Sequence, residues 1–183
     1  MRLENTAFDD VKLIHSEVYP DARGSFAEHY SLSSFHDLGI DTEFVHDSWS
    51  FSAKAGTVRG LHFQVPPKAQ DKLVRVTRGR VFDVIVDLRR RSENFGKHIS
   101  LELDAEAIMA VFIPAGFAHG FCSLTDDVEI TYKMSDEFSP DHYQGIRWND
   151  PALKIEWPVD DGSAIVSDKD SNLPIMENFA SPF

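Results

Sequence analysis

From Lys72 to Met134 the chain alternates apolar and polar residues in strand-length runs, broken at intervals by turn residues. The runs are Lys72–Thr77, Arg80–Leu88, Ile99–Leu103, Met109–Ile113, Gly120–Leu124 and Val128–Met134. Between them stand Arg78-Gly79, Phe95-Gly96, Asp104-Ala105, Pro114-Ala115-Gly116 and Thr125-Asp126-Asp127, which favour turns over continued strand. Many short strands at a spacing of roughly 8–12 residues predict a β-sandwich or barrel. Upstream, residues 1–18 alternate weakly and predict one or two short strands, and Asp21 to Gly24 form a turn leading into another. Residues 31–39 read as a short helix capped by Ser31 and closed by Gly39, and residues 43–52 and 57–64 as strands. Downstream the chain is rich in Pro, Asp and Trp, with a short helix predicted near 149–153 and an irregular tail. No repeat or linker divides it. The expectation is one all-β domain over residues 1–183, a jelly roll with short peripheral helices and a core from about 5 to 175.

Against this pattern a few polar residues fall where apolar ones are expected. His62 interrupts a buried run and shares a strand face with Gly60 and Gln64, since side chains alternate with period two. A polar face built around a glycine suits a strand that lines a ligand cavity. Lys72 opens the next run, and Asp83 lies mid-strand, where a carboxylate is costly to bury unless paired. Tyr132 projects with Val128, Ile130 and Met134 into the interior. His119 stands just before a strand, and its flanking glycines permit a close approach of ligand or backbone. Ser167-Asp168-Lys169-Asp170 supplies a further carboxylate able to back a histidine.

Taken singly, a buried histidine or tyrosine is ordinarily a satisfied core residue. Together, two histidines, a lysine, a tyrosine and two acids on a β-barrel indicate a metal site or proton-transfer chemistry. A jelly-roll metal site needs a His-x-His pair with a Glu and a third His; His62-x-Gln64 lacks one strong ligand, so no metal is expected. For metal-free proton abstraction beside a carbonyl the set is apt: a histidine base, a tyrosine acid on another wall and a lysine to stabilise an oxyanion. No Gly-rich dinucleotide loop, P-loop or Gly-x-Ser-x-Gly elbow is present, and no cofactor is expected.

Composition narrows the partners. Among 183 residues, 18 basic and 30 acidic side chains give a net charge of −12 with no block of like charge. That excludes a nucleic-acid interface, which needs a basic face, but leaves room for an anionic small molecule in a locally positive pocket. Fourteen phenylalanines suit a β-rich interior. Cys122 is the only cysteine, so no internal disulfide forms and a reducing compartment is expected. With no apolar signal core and no run of membrane-span length, the expected location is the cytoplasm, without a membrane partner.

Several motifs then converge on one resemblance: Asp21-x-Arg23-Gly24-x-Phe26-x-Glu28, Arg59-Gly60-Leu61-His62-Phe63-Gln64, Lys72-Leu73-Val74 and Asp83-Val84-x-Val86-Asp87-x-Arg89. They continue through Ile113-Pro114-x-Gly116-Phe117-Ala118-His119-Gly120-Phe121 and Gly145-Ile146-x-Trp148-Asn149-Asp150-Pro151. In order and spacing, from about residue 5 to 175, the chain resembles the nucleotide-sugar 3,5-epimerases typified by dTDP-4-dehydrorhamnose 3,5-epimerase. The resemblance implies a cupin-type double-stranded β-helix and a cofactor-free isomerase. It implies a nucleotide-diphosphate sugar substrate and a homodimer in which an N-terminal segment crosses to the partner's sheet. Carried over by position, His62 is the base, oriented by Asp170; Tyr132 is the acid, and Lys72 lies near the keto oxygen. Arg23, Arg59 and His119 match residues that hold the diphosphate region, and Glu28 matches a nucleotide-side contact; Phe26, Phe138 and Asp83 complete the expected substrate-binding set.

The chain departs from the family pattern at His46 and Ser48, in place of Gln-x-Asn, at Phe138 for a base-stacking tyrosine, at Tyr143 for a glutamate and at Ser171 for an arginine. These positions lie on the nucleotide side or near the rim, and imply an altered nucleotide or sugar preference, such as a CDP- or GDP-sugar. A single-centre epimerase (C3 or C5 only), a metal-dependent cupin and a non-enzymatic sugar-binding jelly roll are the other readings weighed.

Overall fold

A computed structural model describes residues 1–183. Thirteen strands form two facing antiparallel sheets and one detached hairpin. The six-stranded sheet runs in the order β1 (Arg2–Asn5), β2 (Lys12–His15), β10 (Met109–Ile113), β7 (Lys72–Arg78), β12 (Val128–Met134), β5 (His46–Ser52). Facing it is a five-stranded sheet of β13 (Tyr143–Gly145), β6 (Val58–Gln64), β11 (Phe117–Ser123), β8 (Arg80–Asp87) and β9 (His98–Asp104). β3 (Val18–Asp21) and β4 (Gly24–Ala27) pair only with each other. This is the jelly roll that the strand spacing predicted, of the cupin type that the resemblance implied.

The alternation of side chains explains how the layers hold together. Val74, Val76 and Ile130 from one sheet meet Val81, Ile85, Phe117 and Phe121 from the other in the central core. Each such aliphatic side chain, fully buried, stabilises the fold by about 1.5–3 kcal/mol. The opposite face of the six-stranded sheet is covered at one end by α1 (Leu32–Asp37), whose Phe35 packs with Leu73 and Phe112. Ser31 caps that helix by accepting from Ser34 N–H, as its sequence led one to expect. The outer face of the five-stranded sheet is covered by the C-terminal segment, through Ile146 and Leu153 with Ile155, Trp157, Phe179 and Phe183. The last residues are irregular yet anchored, since the Ser181 hydroxyl donates to Leu88 O and Phe183 packs on Phe63.

Three local expectations change. β11 begins at Phe117 rather than Gly120, so His119 lies within a strand instead of before one; Phe117 and Ala118 pair with Asp87 and Val86. Every residue of β11 is buried, which removes the alternation that would have marked its start. The helix expected near 149–153 is a pair of turns, in which Asp150 accepts from the Ala152 and Met176 N–H groups. A short helix occurs instead at α2 (Asp168–Ser171), capped by Ser167.

Candidate active site

Between the sheets, beyond the apolar core, lies a cavity of about 270 Å³ lined by Arg59, His62, Lys72, His119, Phe121, Tyr132, Ser167 and Asp170. Six of the eight are residues that the sequence singled out. β6 and β11 carry His62 and His119 on one wall, while β7 and β12 carry Lys72 and Tyr132 on the other. The strand pairing requires glycine where the two histidine strands touch: a Cβ on Gly60 would lie 2.5 Å from Gly120 Cα. The glycines beside the histidines therefore serve the approach of backbone to backbone.

His62 Nε2 bonds Asp170 Oδ1 at 2.7 Å, and the other carboxylate oxygen accepts from Gly60 N–H at 3.2 Å. With Nε2 so committed, Nδ1 is the ring nitrogen free to exchange a proton. Burial drives the His62 pKa below the ordinary imidazole value, and the Asp170 hydrogen bond and charge only partly oppose it. Burial pushes the Asp170 carboxyl up, but the bonds from His62 and Gly60 outweigh it and hold it below the usual carboxylate range. The pair thus rests as a neutral imidazole beside a carboxylate at neutral pH.

On the facing wall, burial pushes the Tyr132 phenol up to about 12, so it keeps its proton; its hydroxyl lies 3.1 Å from Ser50 Oγ. Lys72 is brought down to about 8 by burial, against the opposing charge of Asp83, and its Nζ donates to His62 O at 3.1 Å. His119 Nε2 bonds Asp83 Oδ2 at 2.7 Å, and its ring meets Tyr132 edge-on with centroids 6.4 Å apart. Asp83 is fully buried and does not line the cavity, where it acts through the bond to His119 and its charge on Lys72. Arg59 at the mouth donates to Ser52 Oγ and Phe51 O and meets no carboxylate.

Other expected site residues lie elsewhere. Arg23, Phe26 and Glu28 do not line the cavity: they sit on or beside the detached β3–β4 hairpin, where Arg23 pairs with Asp21 and Phe26 is 68% exposed. Glu28 accepts from Ser31 and Ser34 hydroxyls. Phe138 is half exposed at the rim, edge-on to Tyr143. Gln64 is turned away, its amide donating to Lys68 O and Glu137 O, so His62-x-Gln64 forms no ligand pair. Two lining residues went unread. Phe121 looked like core, which it also is. Ser167 carried a usable signal, since Ser-x-x-Asp is a helix-start pattern and its Oγ accepts from Asp170 N–H. A larger cavity, about 430 Å³, lies on the outer face of the six-stranded sheet, between Leu73, Arg75, Trp49 and Lys133. It holds no histidine–carboxylate pair facing a phenol, so size does not locate the chemistry.

Two sheets enclosing an imidazole, an ammonium and a phenol define a cupin-type jelly-roll protein with an acid–base site. The family profile described as dTDP-4-dehydrorhamnose 3,5-epimerase matches residues 5–178. A dTDP-4-dehydrorhamnose 3,5-epimerase of Pseudomonas aeruginosa is 46% identical over 93% of this chain and 93% of its own length. The crystal structure of the Bacillus anthracis dTDP-4-dehydrorhamnose 3,5-epimerase, with TDP and PPi bound, superposes with a TM-score of 0.92 at 44% identity, covering 96% of this chain and 99% of that one. The Legionella pneumophila enzyme in complex with dTDP-4-keto-L-rhamnose gives 0.91 at 37% identity, over 98% and 94%. The chain belongs to the dTDP-4-dehydrorhamnose 3,5-epimerase family, isomerases that act on a sugar.

Proposed function

We propose that the chain inverts C3 and C5 of dTDP-4-dehydro-6-deoxy-D-glucose, giving dTDP-4-dehydro-L-rhamnose, without a cofactor. The observation that carries this reading is the placement of His62 and Tyr132 on opposed walls of one cavity, with Lys72 on the phenol's side. His62 Nδ1 takes the proton from the carbon beside the C4 ketone, and the electron pair moves onto the ketone oxygen as an enolate. The Lys72 ammonium stabilises that oxygen. Tyr132 then gives its proton to the same carbon from the other face, which inverts the centre; His62 passes the abstracted proton to solvent and the phenolate takes one back, resetting both groups. Arg59 and His119 face the diphosphate, Arg59 by charge-assisted hydrogen bonds.

The remaining expected contacts require a second copy. The β3–β4 hairpin stands off both sheets with Tyr19 and Phe26 exposed. A homodimer that lays this hairpin across its partner covers those rings and brings Arg23, Phe26 and Glu28 toward the partner's cavity. No helix of the chain is long and apolar enough to cross a membrane.

The proposal is tested by following dTDP-4-dehydro-6-deoxy-D-glucose by proton NMR with the purified protein: the expected product carries both centres inverted. Inversion at C3 or C5 alone makes it a single-centre epimerase, and an unchanged substrate overturns the reading. A second reading, altered nucleotide preference, rests on the rim, where His46 Nδ1 accepts from Phe138 N–H and Nε2 lies 3.1 Å from Ser48 Oγ. A binding series with dTDP, CDP, UDP and GDP decides it, and tightest binding of dTDP removes it.

A further inference from the structure

Tyr143 has no part in the proton transfers above, yet its ring lies against the His62 imidazole, with centroids 5.3 Å apart at 45°. β13 carries it there, Gly145 standing opposite His62 and Tyr143 opposite Gln64. That pairing depends on Gly145, where a Cβ would lie 2.7 Å from Leu61 O and from a Leu173 methyl. Two further contacts hold the ring. Lys169 Nζ sits 3.7 Å from its centroid, close enough for a cation–aromatic attraction, and Phe138 packs on it edge-on at 5.6 Å. Lys169 immediately precedes Asp170, so one short helix delivers both the carboxylate that holds Nε2 and the cation that holds Tyr143. The Tyr143 hydroxyl is raised by burial and by the Asp170 charge, with no hydrogen bond among the causes. The ring, rather than the hydroxyl, makes the contacts.

We infer that Tyr143 is a positioning residue for His62, a wall clamped by Lys169 that fixes the imidazole about its Asp170 anchor and keeps water from its flank. The inference rests on the reading of His62 as the base. Without that ring a single hydrogen bond would hold the imidazole, leaving it free to swing, and small misplacements of a reacting group carry large rate costs. Solvent would also enter. The groups around His62 are Asp170 and, across Tyr143, Lys169 from α2, Lys72 from β7, His119 from β11, Tyr132 from β12 and Arg59 from its own strand. Truncating Tyr143 removes none of these groups, and of them only Lys169 loses a contact to its ring. Since burial is the chief cause that lowers His62, hydration of its flank moves it upward.

The test is an NMR titration of the 15N-labelled His62 imidazole in the full-length parent, Y143F, Y143L and Y143A, with kcat, KM and thermal melts on the same samples. Y143F is expected to keep the parent midpoint. Y143A is expected to move it up toward the ordinary imidazole value and to lower kcat about tenfold, with KM changed by less than about threefold. Y143L stands in if Y143A does not fold, with a smaller upward shift expected. A parent midpoint in a folded Y143A or Y143L, whatever the melting temperature does, overturns the inference. Failure of the base reading shows separately, as turnover that survives His62→Asn while the Tyr143 variants still shift the titration.

Discussion

Two histidines of the same sheet each bond an aspartate at 2.7 Å through Nε2, and the pairs differ in access and origin. His62 is 23% exposed with Asp170 at 7%, whereas His119 is 5% exposed with Asp83 at zero. Asp83 comes from the neighbouring strand β8, so the sheet itself builds that pair. Asp170 arrives from a helix 108 residues along the chain, and it holds an imidazole that still looks into the cavity. Equal hydrogen bonds therefore serve different ends. One leaves a ring nitrogen free for the proposed proton transfer; the other fixes a buried ring against Tyr132, the proposed acid, and places a carboxylate near Lys72.

Breaking each pair should show the difference. His62→Asn is expected to lower kcat by about 10³-fold with a melting temperature near the parent's, since the residue is partly open and the buried Asp170 keeps its bond from Gly60 N–H. His119→Ala should weigh chiefly on stability, with a rise in KM from the lost cavity contact. It leaves Asp83 buried without its partner, a loss of about 3 kcal/mol, which thermal melting reads as a fall of about 10 °C. If His119→Ala melts like the parent, the two pairs are not distinguished by burial.

Asp170→Asn sharpens the contrast with a smaller effect. It keeps the shape of the acceptor but loses its charge, and kcat should fall about 10²-fold. Because the Asp170 charge raises His62, the acid limb of the pH profile should also move to lower pH. An upward move would mean that Asp170 acts by some other route.

The smallest expected effect lies in the parent enzyme's own pH dependence. His62, the proposed base, works only when neutral and burial lowers it from the ordinary imidazole value, so activity should rise on the acid side as it loses its proton. The oxyanion partner works only when charged, so kcat/KM should fall as pH passes the Lys72 value of about 8. Lys72→Met should remove that alkaline limb along with most of the rate. A limb that persists in this variant would assign it to another group.

Much of this was legible before the fold was seen, for physical reasons that can be named. Alternation with period two marks a strand half-buried on one face, and it placed β7, β8, β9, β10 and β12 close to where they stand. It failed at β11, buried on both faces, and at β13, whose three residues are too few to alternate. His62, Lys72, Asp83 and Tyr132 stood out because polar groups inside apolar runs need a partner or a purpose. Tyr143 stood out only as a departure from the family pattern, and nothing in its short turn-flanked segment showed that β13 presses it against His62. The hairpin residues Arg23, Phe26 and Glu28 show the opposite limit: their motif is clear, yet one copy of the chain does not carry them to the cavity.

The most direct test of opposed walls is deuterium uptake into the 4-keto-6-deoxy nucleotide sugar in heavy water, compared among parent, Y132F and H62N. The parent should take up deuterium at C3 and C5 with inversion, Y132F should take it up with the configuration retained, and H62N should take up almost none. Uptake by H62N at the parent's rate, or inversion by Y132F at the parent's rate, would contradict the account.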